Sequence, residues 1–167
     1  TALVELFEGK TAEARARLMP MADADAPDAL LQVGLLDLRE GRRASGRALL
    51  ARLQSQTFDL TGENLLRLAR AAAALGDVQT ANRYFQRVGD APLQQAYKDT
   101  MWGDMLLERH QAGEAVRSYT AALEADPAWV LAHVGLARAL NDEDPERAAA
   151  ALKAATTLAP THPDVQF

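Results

Sequence analysis

An all-α protein assembled from short helix pairs is predicted by three features of the chain. Of its 167 residues, 35 are alanine and 25 leucine, the strongest helix formers. Isoleucine is absent and only eight valines occur, which leaves little to build a sheet from. The third feature is a repeat. A column of large residues, Leu18, Leu50, Phe85, Tyr119 and Leu152, recurs at gaps of 32, 35, 34 and 33, with a small residue four positions earlier each time (Ala14, Gly46, Ala81, Ala115, Ala148). A second column, Gly34, Ala69, Gly103 and Ala137, keeps the same period. A period in this range marks an array of supersecondary units.

Each unit reads as two helices. The first carries apolar residues at helical spacing, as in Leu65, Leu68, Ala69, Ala72 and Leu75. It stops at Glu40–Gly41, Gly76–Asp77 or Asn141–Asp142, where glycine or asparagine is expected to take the left-handed conformation. The second helix follows at once, for example Val78 to Val88. Pro27, Pro92, Pro127 and Pro160 mark junctions between units, and Asp126 is an expected N-cap beside Pro127. Pro20 is expected to cut short the second helix of the first unit. The small columns allow two helices to approach closely while the neighbouring large residue fills the adjoining groove. Trp102, Phe85 and Tyr119 are expected in the core; Tyr97 and Trp129 fall outside the columns.

This pattern resembles that of the tetratricopeptide repeat (TPR) family. The stretch Asp99-Thr100-Met101-Trp102-Gly103 through Ala115, Tyr119, Ala122 and Pro127 matches it well, as does Leu65 through Ala81, Phe85 and Val88. Leu30 to Leu53 is a fair match, with Gly46 where alanine is usual. The resemblance implies a right-handed superhelical solenoid of antiparallel helix pairs over the whole chain. It comprises a partial unit at 1–24, units at about 27–58, 62–91, 92–127 and 128–160, and the start of a further helix at 161–167. It also implies a groove lined by the first (A) helices. By helical phase the groove positions are Gln32, Leu35 and Arg39, then Arg67 and Arg70, then Tyr97, Met101, Asp104 and Glu108, then Arg138 and Asn141. There the arginines are expected to meet carboxylates of a partner, while Tyr97 and Met101 offer adaptable apolar contact.

Several functions are disfavoured. The net charge of −5 argues against nucleic-acid binding, and no apolar run is long enough to span a membrane. Without cysteine there are no thiolate metal sites and no thiol nucleophile. His110, His133 and His162 lack ligand spacing, and no serine–histidine–acid set suggests itself. The glycine-spaced stretch Gly41 to Ala48 lacks the lysine and Ser/Thr of a phosphate-binding loop, and reads instead as a helix-ending Gly41 and a packing Gly46. The acidic stretches 23–28 and 141–144 lack the glycine and distant glutamate of a calcium loop and read as helix caps. No enzyme activity, cofactor or metal is therefore expected. The faces at Leu31, Leu66, Arg67, Arg70, Thr100 and Met101 lack the lysines and asparagines of a chaperone clamp.

The expectation is a non-catalytic scaffold that binds a peptide or a partner helix, as one segment of a larger protein. Its 15 arginines against three lysines, with so much alanine, suggest a bacterial source, cytoplasmic or periplasmic. The alternatives are a regulatory or targeting segment of a larger enzyme or of an envelope export or assembly protein, and self-association through exposed terminal helices.

Overall fold

The computed structural model describes residues 10–89, 92–160 and 165. Among these residues the structure is helices and turns, with no strand. The elements are α1 (Thr11–Asp23), α2 (Pro27–Arg39), α3 (Arg43–Ser55), α4 (Gly62–Leu75), α5 (Val78–Phe85), α6 (Pro92–Glu108), α7 (Ala112–Ala125), α8 (Val130–Leu140) and α9 (Pro145–Leu158). The chain divides into two compact units, Thr1–Arg87 and Val88–Phe167.

In the first unit α1 packs on α2, α2 on α3, and α4 covers both α2 and α3 before turning into α5. The core holds Leu30, Leu31 and Val33 of α2, Leu49, Leu50 and Leu53 of α3, and Ala71 of α4. In the second unit α6 pairs with α7, α8 covers both, and α9 pairs with α8. Its centre is Tyr119 of α7, fully buried with Ala115 and Ala139. The small columns are the points of closest approach. A Cβ on Gly46 would stand 2.7 Å from the carbonyl oxygen of Gly34 across α2–α3. In the second unit the Tyr119 ring occupies a slot between two glycines: a Cβ on Gly103 would lie 2.7 Å from its Cε1, and one on Gly135 would overlap the ring outright. Each hairpin thus presents a face that only a neighbouring helix can bury.

The helix ends follow from local chemistry. Gly41 (φ 80°) and Gly76 (φ 89°) take the left-handed conformation expected of them. Thr61, Asp77 and Asp144 cap α4, α5 and α9 by accepting the backbone N–H three residues on. Pro27 and Pro145 occupy the first turns of α2 and α9. With Gly41 ending α2 and Gly46 packed on Gly34, the glycine-spaced stretch is accounted for by packing.

Four local expectations are corrected. Pro20 does not end α1: the helix runs through it to Asp23, because a proline removes only its own N–H while its carbonyl still accepts from Ala24 (3.2 Å). The second helix of the α4–α5 pair ends at Phe85 rather than Val88, although Val88 remains buried. Asp126 does not cap α8. It accepts from Ala128 N–H (2.9 Å) in a local turn, and the N-cap is Trp129. Asn141 stays right-handed (φ −50°), and among the described residues the non-glycine residues with positive φ are Asp25 and His110. Asp25 is held there by α3, whose Arg52 Nη2 donates to its carboxylate (2.6 Å) and whose next residue after the helix, Gln56, donates to its carbonyl (2.8 Å). The expected helix at 161–167 lies outside the described residues, apart from Val165, which is buried against Val134 and Ala155.

Candidate binding surfaces

In the first unit the predicted A-helix positions are Gln32, Leu35 and Arg39 on α2 and Arg67 and Arg70 on α4. Gln32, Leu35, Arg67 and Arg70 are half-buried, and Arg39 is exposed. Leu35 packs against the core cluster, because α4 lies over α2. Arg67 is already engaged. Its Nε and Nη2 grip the Asp28 carboxylate at 2.7 and 3.0 Å, Nη1 donates to Asn64 Oδ1 at 2.7 Å, and Nη2 also reaches Glu63. The bond to Asp28, foremost, raises its pKa above the usual arginine value. The expectation that Arg67 stands ready for a partner's carboxylate is therefore corrected: this planar fork ties the start of α2 to the start of α4.

A second network was not anticipated. Asp37 of α2 is fully buried, yet Arg15 of α1 donates to both its oxygens (2.7 and 3.0 Å), Arg42 to Oδ1 (2.7 Å) and the Ser45 hydroxyl to Oδ2 (2.6 Å). Burial alone pushes this carboxyl up, but the three donors outweigh it and hold the group far below the usual carboxylate range. The site joins α1, α2 and the start of α3, and explains why Arg42 and Ser45 stand where a phosphate loop was considered.

In the second unit the predicted positions are Tyr97, Met101, Asp104 and Glu108 on α6, with Arg138 and Asn141 at the end of α8. Tyr97, Met101 and Asp104 are half-buried, while Glu108, Arg138 and Asn141 are exposed. The structure brings together the two aromatics that lie outside the repeat columns. Tyr97 and Trp129 meet edge to face, with centroids 6.4 Å apart and planes at 79°. The Trp129 indole N–H is buried without an acceptor among the described residues. Beside this pair His133 Nε2 is 2.9 Å from the Pro127 carbonyl oxygen.

Asp104 is a correction. Helical phase turned it away from the B helices, but it accepts the Tyr119 hydroxyl of α7 at 2.7 Å. Burial, followed by the Asp104 charge, pushes that phenol well above its ordinary pKa, so it stays a neutral donor. Trp102 is also corrected: it is half-buried, unlike Phe85 and Tyr119. Arg138 and Asn141 open onto a cleft of about 530 Å³ shared with Pro145, Ala148, Ala149 and Leu152 of α9. Two polar residues inside the matching stretch are buried where Leu30 and Leu31 stand in the first unit, and their burial was not anticipated. Asp99 has Lys98 Nζ at 3.3 Å, and Thr100 donates to the Ala96 carbonyl at 2.8 Å.

Among the described residues no group of three histidine, cysteine, aspartate or glutamate side chains is arranged to hold a metal, and no helix is long and apolar enough to cross a membrane.

No family model and no curated protein matches the sequence. Solved structures do match in fold. YrrB, described as a TPR protein with an unusual peptide-binding site, aligns over 98% of this chain and 86% of its own, with a TM-score of 0.56 at 18% identity. MamA aligns over 99% and 92%, with a TM-score of 0.55 at 16% identity. A chain of the Cut9–Hcn1 hetero-tetramer of the APC/C aligns over 98% of this chain and 40% of its own, at 0.56 and 15%. The fold is that of the all-α helical-repeat class, assembled from antiparallel pairs. Within that class it is TPR-like, in agreement with the repeat columns.

Proposed function

We propose that this chain is a non-catalytic protein-interaction scaffold that holds an extended peptide or a partner helix against its A-helix faces. The carrying observation is the Tyr97–Trp129 pair, two aromatics that the repeat does not require, meeting on α6 and at the cap of α8. Met101 lies one turn beyond Tyr97, and Glu108 and Arg138 add charges of both signs. Rigid aromatic area with adaptable thioether contact and a charged border is the composition of interface anchors. The TPR-like fold supports the same reading, and YrrB is a precedent in so far as it is described as having a peptide-binding site.

Within the first unit, taken by itself, Gln32, Arg39 and Arg70 form a second candidate surface, and Arg67 is bound to Asp28. The test is selection of a random peptide display library on the full chain, repeated with Tyr97→Ala and Met101→Ala. Enriched sequences that lose at least tenfold in affinity with both variants, at unchanged helicity, fit the proposal. Enrichment that neither variant weakens contradicts it.

A further inference from the structure

The aromatic pair contains a donor that the fold leaves unspent. Trp129 is half-buried, its indole N–H is wholly buried, and that N–H has no acceptor among the described residues. A buried donor without a partner forfeits the bond it had with water, and folded proteins rarely leave one so. The junction around it has its acceptors already engaged. The Asp126 carboxylate takes the Ala128 N–H (2.9 Å) and the Asp126 carbonyl takes the Trp129 backbone N–H (3.1 Å). The Pro127 carbonyl faces His133 Nε2 (2.9 Å), and the Trp129 carbonyl accepts from Ala132 and His133 (3.1 and 3.3 Å). An incoming ligand can bring the missing acceptor.

On the reading above that this pair holds a partner, the stranded N–H separates the two kinds of partner named there. In an α-helix each interior carbonyl already accepts from the N–H four residues on, so it has little to offer an indole. A polyproline II segment makes no internal hydrogen bonds and keeps its carbonyls free. Such segments dock on aromatic side chains, and Tyr97 and Trp129, with ring planes at 79°, form a corner for a proline ring. We propose that this pair binds a proline-rich segment in the polyproline II conformation, with the Trp129 indole N–H donating to one of its main-chain carbonyls. The N–H is closed off in the free chain, so the indole turns as the segment enters. Pro127 and Ala128, which lead into it, are exposed and leave the junction room to adjust.

The probe is a labelled decaproline, titrated into the full chain by fluorescence anisotropy beside a helical alanine–lysine peptide of the same length. Saturable binding of decaproline is expected, and none of the helical peptide. Replacing the indole of Trp129 alone by benzothiophene (as 3-benzothienylalanine) keeps the shape and removes the N–H. It should weaken decaproline by about fivefold, the scale of one neutral hydrogen bond. The same replacement should raise the urea midpoint of the free chain, because no bond is lost there and a stranded donor is removed. A residue that serves only packing would show neither change. Decaproline that fails to saturate overturns the proposal, as does equal binding of the helical peptide or affinity indifferent to the replacement. A lowered urea midpoint overturns it too, by showing that the N–H has a partner in the free chain. If library-selected peptides bind through Tyr97 and Met101 while decaproline does not, the interaction surface stands and its polyproline preference falls; if neither binds, both fall.

Discussion

Asp37 and Asp99 are both buried carboxylates on A helices, one in each compact unit, and their surroundings differ in kind. Asp37 accepts bonds from two guanidinium groups and a hydroxyl, so its ionised form is the favoured one. Asp99 has one ammonium at 3.3 Å and the Gln95 side chain, and burial wins over both, raising its pKa. Their exposure is nearly equal, at 0% and 5%, so exposure alone does not tell the two acids apart. The number and geometry of donors do. The first unit uses its acid to fasten three successive helices, while the second fastens its helices by shape, with Tyr119 between Gly103 and Gly135.

The largest expected effect tests the polar fastening. Asp37→Ala leaves Arg15 without its carboxylate and Arg42 with Glu40 alone, and should cost about 3 kcal/mol, the scale of breaking a buried ion pair. Urea unfolding followed by circular dichroism measures this. Both tryptophans, Trp102 and Trp129, lie in the second unit, so fluorescence followed in parallel reports that unit alone. A loss below about 0.5 kcal/mol would mean that the network is ornamental. Next comes the shape-based fastening. Gly135→Ala drives a methyl into the Tyr119 ring and should cost about 1–3 kcal/mol by overpacking. Pairing it with Tyr119→Leu should restore part of that loss, since leucine is the column residue in three other units. Tyr119→Phe alone removes only the hydroxyl donated to Asp104 and should cost about 1 kcal/mol.

What the sequence discloses, and what it hides, follows the same division. The columns are legible because every unit needs a small residue facing a large one, and the need repeats. Asp37 was hidden because its counterparts in the other units are Ala72, Leu106 and Leu140: a polar contact made once has no period to reveal it. The groove positions were drawn from the phase of isolated helices. That treatment assigns a direction to each side chain but not a reach. Arg67 spans to Asp28, 39 residues earlier, and Asp104 meets a tyrosine on the neighbouring helix. Trp129 and Tyr97 were visible as residues that the repeat left over, yet their pairing depends on α8 starting at Val130 rather than at the proline.

The smallest effects have opposite signs, which makes them the sharpest test of the contrast. The folded state depresses the pKa of Asp37, so its stabilisation is complete above the usual value of 3.8 and drains away as pH falls below it. For Asp99 the folded state raises the pKa and binds the proton more tightly than the unfolded chain, so stability is lost as pH climbs through the range above 3.8. Replacing Asp99 with asparagine keeps the shape and removes the desolvated charge. Asp99→Asn should therefore be neutral or stabilising by up to about 1 kcal/mol at pH 7, with no gain near pH 3. Asp37→Asn should show the reverse trend, its penalty growing from pH 3 to pH 6. Thermal melts of both variants and the wild-type chain at these pH values measure the two slopes. Two slopes of the same sign would mean that Lys98 serves Asp99 as well as two arginines and a serine serve Asp37.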